Sequence, residues 1–322
     1  MEGRSRDGIR VAVLAGGFSS EREISLASGE HAMKAIREAG YGAVELLDPS
    51  APGFLAEMEG GSWDVAFIAL HGAGGEDGMI QHVLEYLGVP YTGSDAASSV
   101  CGADKELSKL LYERAGIPVA KGVALERGQG YDVPAIIEEL GRDLFVKPAI
   151  NGSSYGVSKV EDASQLPAAI ERAFDFSDKV LIEQRLVGVE VSEGVLGGED
   201  LTALPVVEIR CPADSEFYDL DVKYVDPTDI HRIPAELAAD DYARVQELAC
   251  RAHRALGCTG FSRSDFIVTD QGPVILETNT IPGMTETSLF PDELRHAGIA
   301  FSEACAQLID IALDRAADGA ER

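Results

Sequence analysis

The 322-residue chain has no run of 18 or more apolar residues, so no segment of it reads as a membrane-spanning helix. It has no CxxC pair. Its five cysteines, Cys101, Cys211, Cys250, Cys258 and Cys305, are odd in number and far apart. That excludes a disulfide scaffold and a cysteine-rich zinc site, and points to unpaired thiols in a reducing cytosol. The six histidines form no HExxH, and GK[ST] occurs nowhere, so zincin and Walker-loop readings fail. Gly16-Gly17 is not GxGxxG, so the dinucleotide fingerprint fails as well. Basic residues are scarce: 27 Lys plus Arg against 55 Asp plus Glu leave a formal charge of −28. Such a surface repels nucleic acid and anionic membrane, and neither is expected as a partner. Only eight of the basic residues are lysines, so lysines serving a polyphosphate would have to be placed deliberately.

The remaining composition, 45% apolar and 25% charged, is that of a globular protein, and the length suits two or three packed subdomains. The opening MEGRSRDGIR is a polar tail without an apolar signal segment. Over residues 1–100, strands at 9–14, 43–47 and 64–70 alternate with helices at 26–39 and 79–87, which predicts a parallel sheet with crossover helices. Residues 101–185 read as a second subdomain. It has helices at 103–115, 133–140 and 163–174, and strands near 119–125, 144–148, 156–160 and 179–184. Residues 186–322 form the third. Two strands fall within 188–209, a polar loop covers 211–239, a helix covers 240–256, strands 261–269 and 273–278 follow, and a helix spans 301–316.

The last two strands carry the strongest geometry. If Thr269 pairs with Pro273 around a three-residue turn, Asp265 faces Glu277 at about 5 Å. Alternation then places Arg263, Asp265, Glu277 and Asn279 on one face. Opposed like charges need a counter-ion, and a hard divalent cation with oxygen ligands, Mg²⁺ above all, would supply one. The same residues also fit a solvated acidic hairpin in a chain this acidic. VKPAINGSSYGVSKV (146–160) offers a Gly-Ser turn after Lys147, suited to phosphate or equally to an ordinary hairpin. Glu21-Arg22-Glu23 and the Gly-rich stretch 70–78 with His71 read as loops at the sheet edge where ligands bind, or simply as solvated loops.

Taken together, the motifs resemble one family, the D-alanine–D-alanine ligases of the ATP-grasp superfamily. They are GGFSSEREIS (16–25), ALHGAGGEDG (69–78), DKELSK (104–109), VKPAINGSSYGVSKV (146–160), DVKY (221–224), SRSDF (262–266) and ETNTIPGMTETSLFP (277–291). The resemblance runs in order from about residue 10 to the final helix. It implies an α/β ATP-grasp fold, with a Rossmann-like first subdomain and two further subdomains that sandwich ATP. It also implies ligation of two D-alanines through an acyl phosphate for peptidoglycan and cell-wall synthesis.

The residue roles below are what this resemblance implies. Lys105, Lys147 and Ser154 would meet the inner phosphates of ATP, and Lys223 the γ-phosphate. Glu183 and Leu186 would meet adenine, and Glu190 the ribose. Asp265, Glu277 and Asn279 would hold two Mg²⁺ ions, with Mn²⁺ able to substitute. Glu21 would pair with the ammonium of the first D-alanine, with His71 beside it. Arg263, Gly283, Ser288 and Leu289 would hold the oxyanion and the second carboxylate. Glu21, Ser153 and Tyr224 would tie the subdomains together over the substrates. A cytoplasmic homodimer is implied in the same way. Arg185, Tyr155, His231 and Glu193 depart from the family's common pattern, but none replaces a catalytic group. The competing readings are a sibling ligase using D-lactate, D-serine or a natural-product amino acid, and an inactive nucleotide-binding homologue. Tyr224 favours D-alanine as acceptor, because siblings of the D-lactate type lack it.

Overall fold

A computed structural model describes residues 5–150, 152, 155–210 and 230–320. In the first subdomain the apolar run after Arg10 forms β1 (Arg10–Leu14), and Val11 to Leu14 are wholly buried. A 17-residue helix, α1 (Arg22–Glu38), leads to β2 (Ala43–Leu47). A short helix, α2 (Phe54–Gly60), leads to β3 (Val65–Ile68). Both outer strands run parallel to β1, and Val13 lies opposite Leu46 on one side and Phe67 on the other. Parallel neighbours require crossovers, and helices supply them. α1 begins earlier than the apolar period indicates, so Arg22 and Glu23 belong to its first turn, and Glu21 sits at its N-cap position instead of in a loop.

α3 (Met79–Leu87) is followed by α4 (Ala96–Ala103) and α5 (Lys105–Arg114). The helix expected over 103–115 is α5, and Asp104 separates it from α4. Asp104 is extended, and its Oδ1 accepts from the Glu106 and Leu107 amides at 2.9 and 3.2 Å, an N-cap that starts a new helix. α4 (AASSVCGA) carries no apolar period, which hides it from a pattern search.

The second subdomain is an antiparallel sheet with one helical face. Its elements are β4 (Gly122–Glu126), α6 (Val133–Leu140), β5 (Leu144–Pro148), β6 (Ser158–Val160), α7 (Leu166–Phe174) and β7 (Lys179–Gln184). The strand order is β4-β7-β5-β6. Leu144, Val146, Val160, Ile170, Val180 and Ile182 form a core of its own.

The third subdomain holds β8 (Val189–Gly197), β9 (Leu201–Ala203), β10 (Val207–Ile209), β11 (His231–Arg232), α8 (Ala239–Leu256), β12 (Gly260–Thr269), β13 (Gly272–Asn279), α9 (Leu289–His296) and α10 (Phe301–Ala320). Three strands, not two, fall within 188–209. The antiparallel order is β11-β10-β8-β12-β13, with β9 on β8. Phe261, Phe290, Leu308 and Ile309 enter the same core as β1 and β3, so the first and third subdomains are packed as one body. α5 joins α8 through Tyr112, Val245 and Leu248.

The β12–β13 hairpin refines the predicted pairing. Thr269 pairs with Gly272, not Pro273, so the loop is two residues long. A β-bulge at Leu276 then restores the offset, and Asp265 lies opposite Glu277 as expected.

Glu193 departs from the apolar pattern of its strand. It is fully buried on β8 between Val191 and Val195, on the face that packs against α8, and neither carboxylate oxygen has a hydrogen-bond partner. Burial first, and then the buried Glu293 carboxyl, push its pKa well above the ordinary carboxyl value. The folded state therefore holds a proton that the unfolded chain releases. Stability falls as pH rises from about 4.5 toward that raised value. Glu193→Leu is expected to raise the unfolding temperature at pH 8 by an amount equivalent to ~1–3 kcal/mol, with a smaller gain at pH 5. Thermal unfolding at both pH values tests this, and an equal or lower midpoint at pH 8 rules it out.

Candidate active site

The hairpin face is assembled by register alone. Arg263 lies opposite Asn279, and Asp265 opposite Glu277. The Arg263 guanidinium forks onto Asp265, with Nε 3.0 Å from Oδ1 and Nη2 2.8 Å from Oδ2. Ser192 donates to Asp265 at 2.6 Å, and the Asn279 amide at 3.4 Å. Lys105 Nζ lies 3.0 Å from Glu277 Oε2. Thus the chain itself provides a counter-charge for each opposed carboxylate. Burial opposes the charge on Arg263, but Asp265 outweighs it and holds the guanidinium protonated. Two carboxylates and an amide carbonyl on one face, with no sulfur or imidazole among them, form a donor set that fits a hard divalent cation.

This face forms one wall of a cleft of 760 Å³ that also receives Glu21, His71, Gly283, Ser288 and Leu289. Glu21 comes from the start of α1, and its Oε1 would stand 2.7 Å from a β-carbon at Gly152, in the Gly-Ser loop of the second subdomain. His71 is buried, with Nε2 2.9 Å from Ser28 Oγ and Nδ1 3.3 Å from Glu76 Oε1. On the opposite side Ser288 stands at the N-cap of α9 without capping it. Its hydroxyl instead meets Thr285, at 2.7 Å from Oγ1 and 3.1 Å from the amide. A β-carbon at Gly283 would lie 2.9 Å from that hydroxyl, so a side chain there would displace it. The first amides of α9 have no intrahelical acceptor, a natural seat for a carboxylate.

The expected residues Glu21, His71, Lys105, Arg263, Glu277, Asn279, Gly283, Ser288 and Leu289 therefore meet in one cleft. Family models described as D-ala D-ala ligase N-terminus and D-ala D-ala ligase C-terminus match residues 46–94 and 111–310. This chain belongs to the D-alanine–D-alanine ligase family. A D-alanine–D-alanine ligase of Syntrophobacter fumaroxidans is 43% identical over 310 residues, covering 96% of this chain and 99% of that one. A D-alanine–D-alanine ligase B of Chromobacterium violaceum is 42% identical, covering 94% and 97%. The ATP-complexed D-alanine–D-alanine ligase of Bacillus anthracis superposes with a TM-score of 0.82 at 29% identity, over 97% of this chain and 99% of that one. A second structure of the Bacillus anthracis ligase gives 0.85 at 33%, over 97% and 100%. The fold is thus the ATP-grasp α/β architecture.

The residues expected at the nucleotide lie on and beside the second sheet. Lys147 is the penultimate residue of β5, ahead of the Gly-Ser loop, and Glu183 lies on the neighbouring β7. Glu183 is buried between Lys147, at 2.5 Å, and Lys109. Burial pushes its carboxyl upward, yet the two lysines prevail and hold it below the ordinary range. Leu186 lies in the β7–β8 connection, and Glu190 on β8 opposite Ile267. Ser153, Ser154, Lys223 and Tyr224 lie outside the described residues. Sequence reasoning missed Ser28 and Glu76, which hold the two nitrogens of His71, and Lys109. All three lie within or beside quoted motifs; Ser28 and Lys109 meet side chains 43 and 74 positions away, whereas Glu76 meets His71 within one motif.

Proposed function

We propose that this chain is an ADP-forming ligase that joins two D-alanines into D-alanyl-D-alanine, a peptidoglycan precursor. The observation that carries the reading is the single cleft, where an acidic hairpin face, the buried His71 and the N-terminus of α9 converge. ATP lies between the second and third subdomains. Lys105, Lys147, Ser154 and Lys223 meet its phosphates, Glu183 and Leu186 meet adenine, and Glu190 meets the ribose. Asp265, Glu277 and Asn279 would hold Mg²⁺, or Mn²⁺ in its place, which would supply positive charge to the phosphates.

A carboxylate is a poor electrophile and must be activated. Glu21 holds the ammonium of the first D-alanine, and His71 fixes the molecule in the cleft. Its carboxylate attacks the γ-phosphorus, ADP leaves, and an acyl phosphate results. Ser288 and the Leu289 amide hold the carboxylate of the second D-alanine. Its amine attacks the acyl carbon, while Arg263 and the Gly283 amide stabilise the oxyanion. Phosphate then leaves. Glu21, Ser153 and Tyr224 close the site and exclude water from the acyl phosphate. Subdomains 1–100, 101–185 and 186–322 supply these parts. The ligase acts on small molecules in the cytoplasm as a homodimer. No described helix is long and apolar enough to cross a membrane.

Phosphate release from ATP tests the reading. D-Alanine alone is expected to drive release and to yield the dipeptide, whereas L-alanine alone and D-lactate alone are not. No release with D-alanine, or equal coupling of D-lactate when D-alanine is present, would refute it.

A further inference from the structure

α5 carries two lysines four residues apart, on one face of the helix. Lys105 turns to Glu277 of the third subdomain, and Lys109 turns to Glu183 of the second. Lys109 is fastened twice, because its ammonium also donates to the Ala120 carbonyl at 2.7 Å. Lys147 approaches Glu183 from β5, with Nζ 2.5 Å from Oε2. All three side chains are nearly inaccessible, at 12% exposure for Lys147, 11% for Lys109 and 7% for Glu183. One buried carboxylate is therefore shared by two buried ammonium groups.

This sharing bears on nucleotide binding. Lys147 cannot serve a phosphate while it is the sole counter-charge of a buried carboxylate, because leaving would strand Glu183 in a dry site, which is strongly unfavourable. A second, permanently fastened lysine removes that obstacle. We propose that Lys109 is a positioning residue for ATP: it keeps Glu183 compensated, so that Lys147 is released to the phosphates. Lys109 itself stays on Glu183 and Ala120 and does not touch the nucleotide. The proposal rests on the reading of Lys147 as a phosphate ligand.

The test is titration of the full-length protein with ATP and Mg²⁺, using wild type, Lys147→Met, Lys109→Met, Glu183→Gln and the double variant Lys109→Met/Glu183→Gln. Lys109→Met is expected to weaken ATP binding about tenfold, close to the loss in Lys147→Met. In the Glu183→Gln background the same Lys109 substitution is expected to cost nothing, since no carboxylate then detains Lys147. An equal loss in both backgrounds would overturn the proposal, because Lys109 would then act directly on ATP or through general packing. An unchanged dissociation constant in Lys109→Met would also overturn it. An unchanged constant in Lys147→Met alone would instead refute the phosphate assignment of Lys147, which separates the two failures. If Lys109→Met does not fold, Lys109→Gln/Glu183→Gln provides a neutral hydrogen-bonding pair. That variant is expected to bind ATP as tightly as Glu183→Gln, and weaker binding overturns the proposal.

Discussion

Glu277→Gln is expected to lower turnover by ~10³-fold or more while the protein stays folded. Glutamine keeps the shape of the side chain and one carbonyl oxygen, and loses the charge and the second acceptor oxygen. In the structure that charge pairs with Lys105 at 3.0 Å and faces Asp265 across the β12–β13 ladder. The Glu277 side chain is 31% exposed, so loss of the ion pair costs at most ~1 kcal/mol of stability. Catalysis is affected far more. During phosphoryl transfer negative charge spreads over the γ-phosphate, and on the proposed reading the two opposed carboxylates would gather positive charge beside it. A deficit of ~4 kcal/mol at the transition state corresponds to ~10³ in rate. ADP release at saturating Mg²⁺ and D-alanine measures the loss, and thermal unfolding checks the fold. Turnover within about tenfold of wild type would show that Glu277 is not a ligand of the phosphate-neutralising cations.

That prediction was legible in the sequence because strand alternation is a short-range rule. The period of two alone places Arg263, Asp265, Glu277 and Asn279 on one face. It did not reveal how the register is kept. A two-residue loop by itself would shift every pair by one, and only the bulge at Leu276 returns Asp265 to Glu277. Bulges leave little trace in apolar patterning, because the extra residue here is an ordinary leucine. The parallel order of β2-β1-β3 followed from strands alternating with helices. α4 and α9 did not emerge, one being built of small residues and the other only eight residues long. Long-range packing was the least accessible. Nothing local tells that α10 covers the first subdomain's core, or that Lys109 reaches Glu183 across 74 positions. Lys109 stands within DKELSK, but its partner is set by how α5 lies against the second sheet.

Arg263→Lys is expected to lower kcat by ~10²–10³ with little change in the KM for ATP. The substitution keeps a positive charge, which this position requires. Arg263 lies opposite Gly194 on β8, and the buried Glu293 carboxyl occupies the space that a side chain at 194 would fill. A neutral residue at 263 would strip the buried Asp265 carboxylate of its counter-charge, and lost activity could then be lost folding. Lysine avoids that confusion but cannot reproduce the fork. Arginine holds Asp265 through Nε and Nη2 together, which fixes the plane of the guanidinium at the wall of the cleft. An ammonium on a flexible stem satisfies Asp265 with one hydrogen bond and presents no fixed donor to an oxyanion. On the proposed reading the contact with the tetrahedral oxygen would form only after the amine has attacked, so its loss would fall on kcat and spare nucleotide binding. Steady-state kinetics with ATP varied at saturating D-alanine separates the two parameters. A kcat within about tenfold of wild type, or a loss confined to the KM for ATP, would place Arg263 with the nucleotide and remove it from the oxyanion.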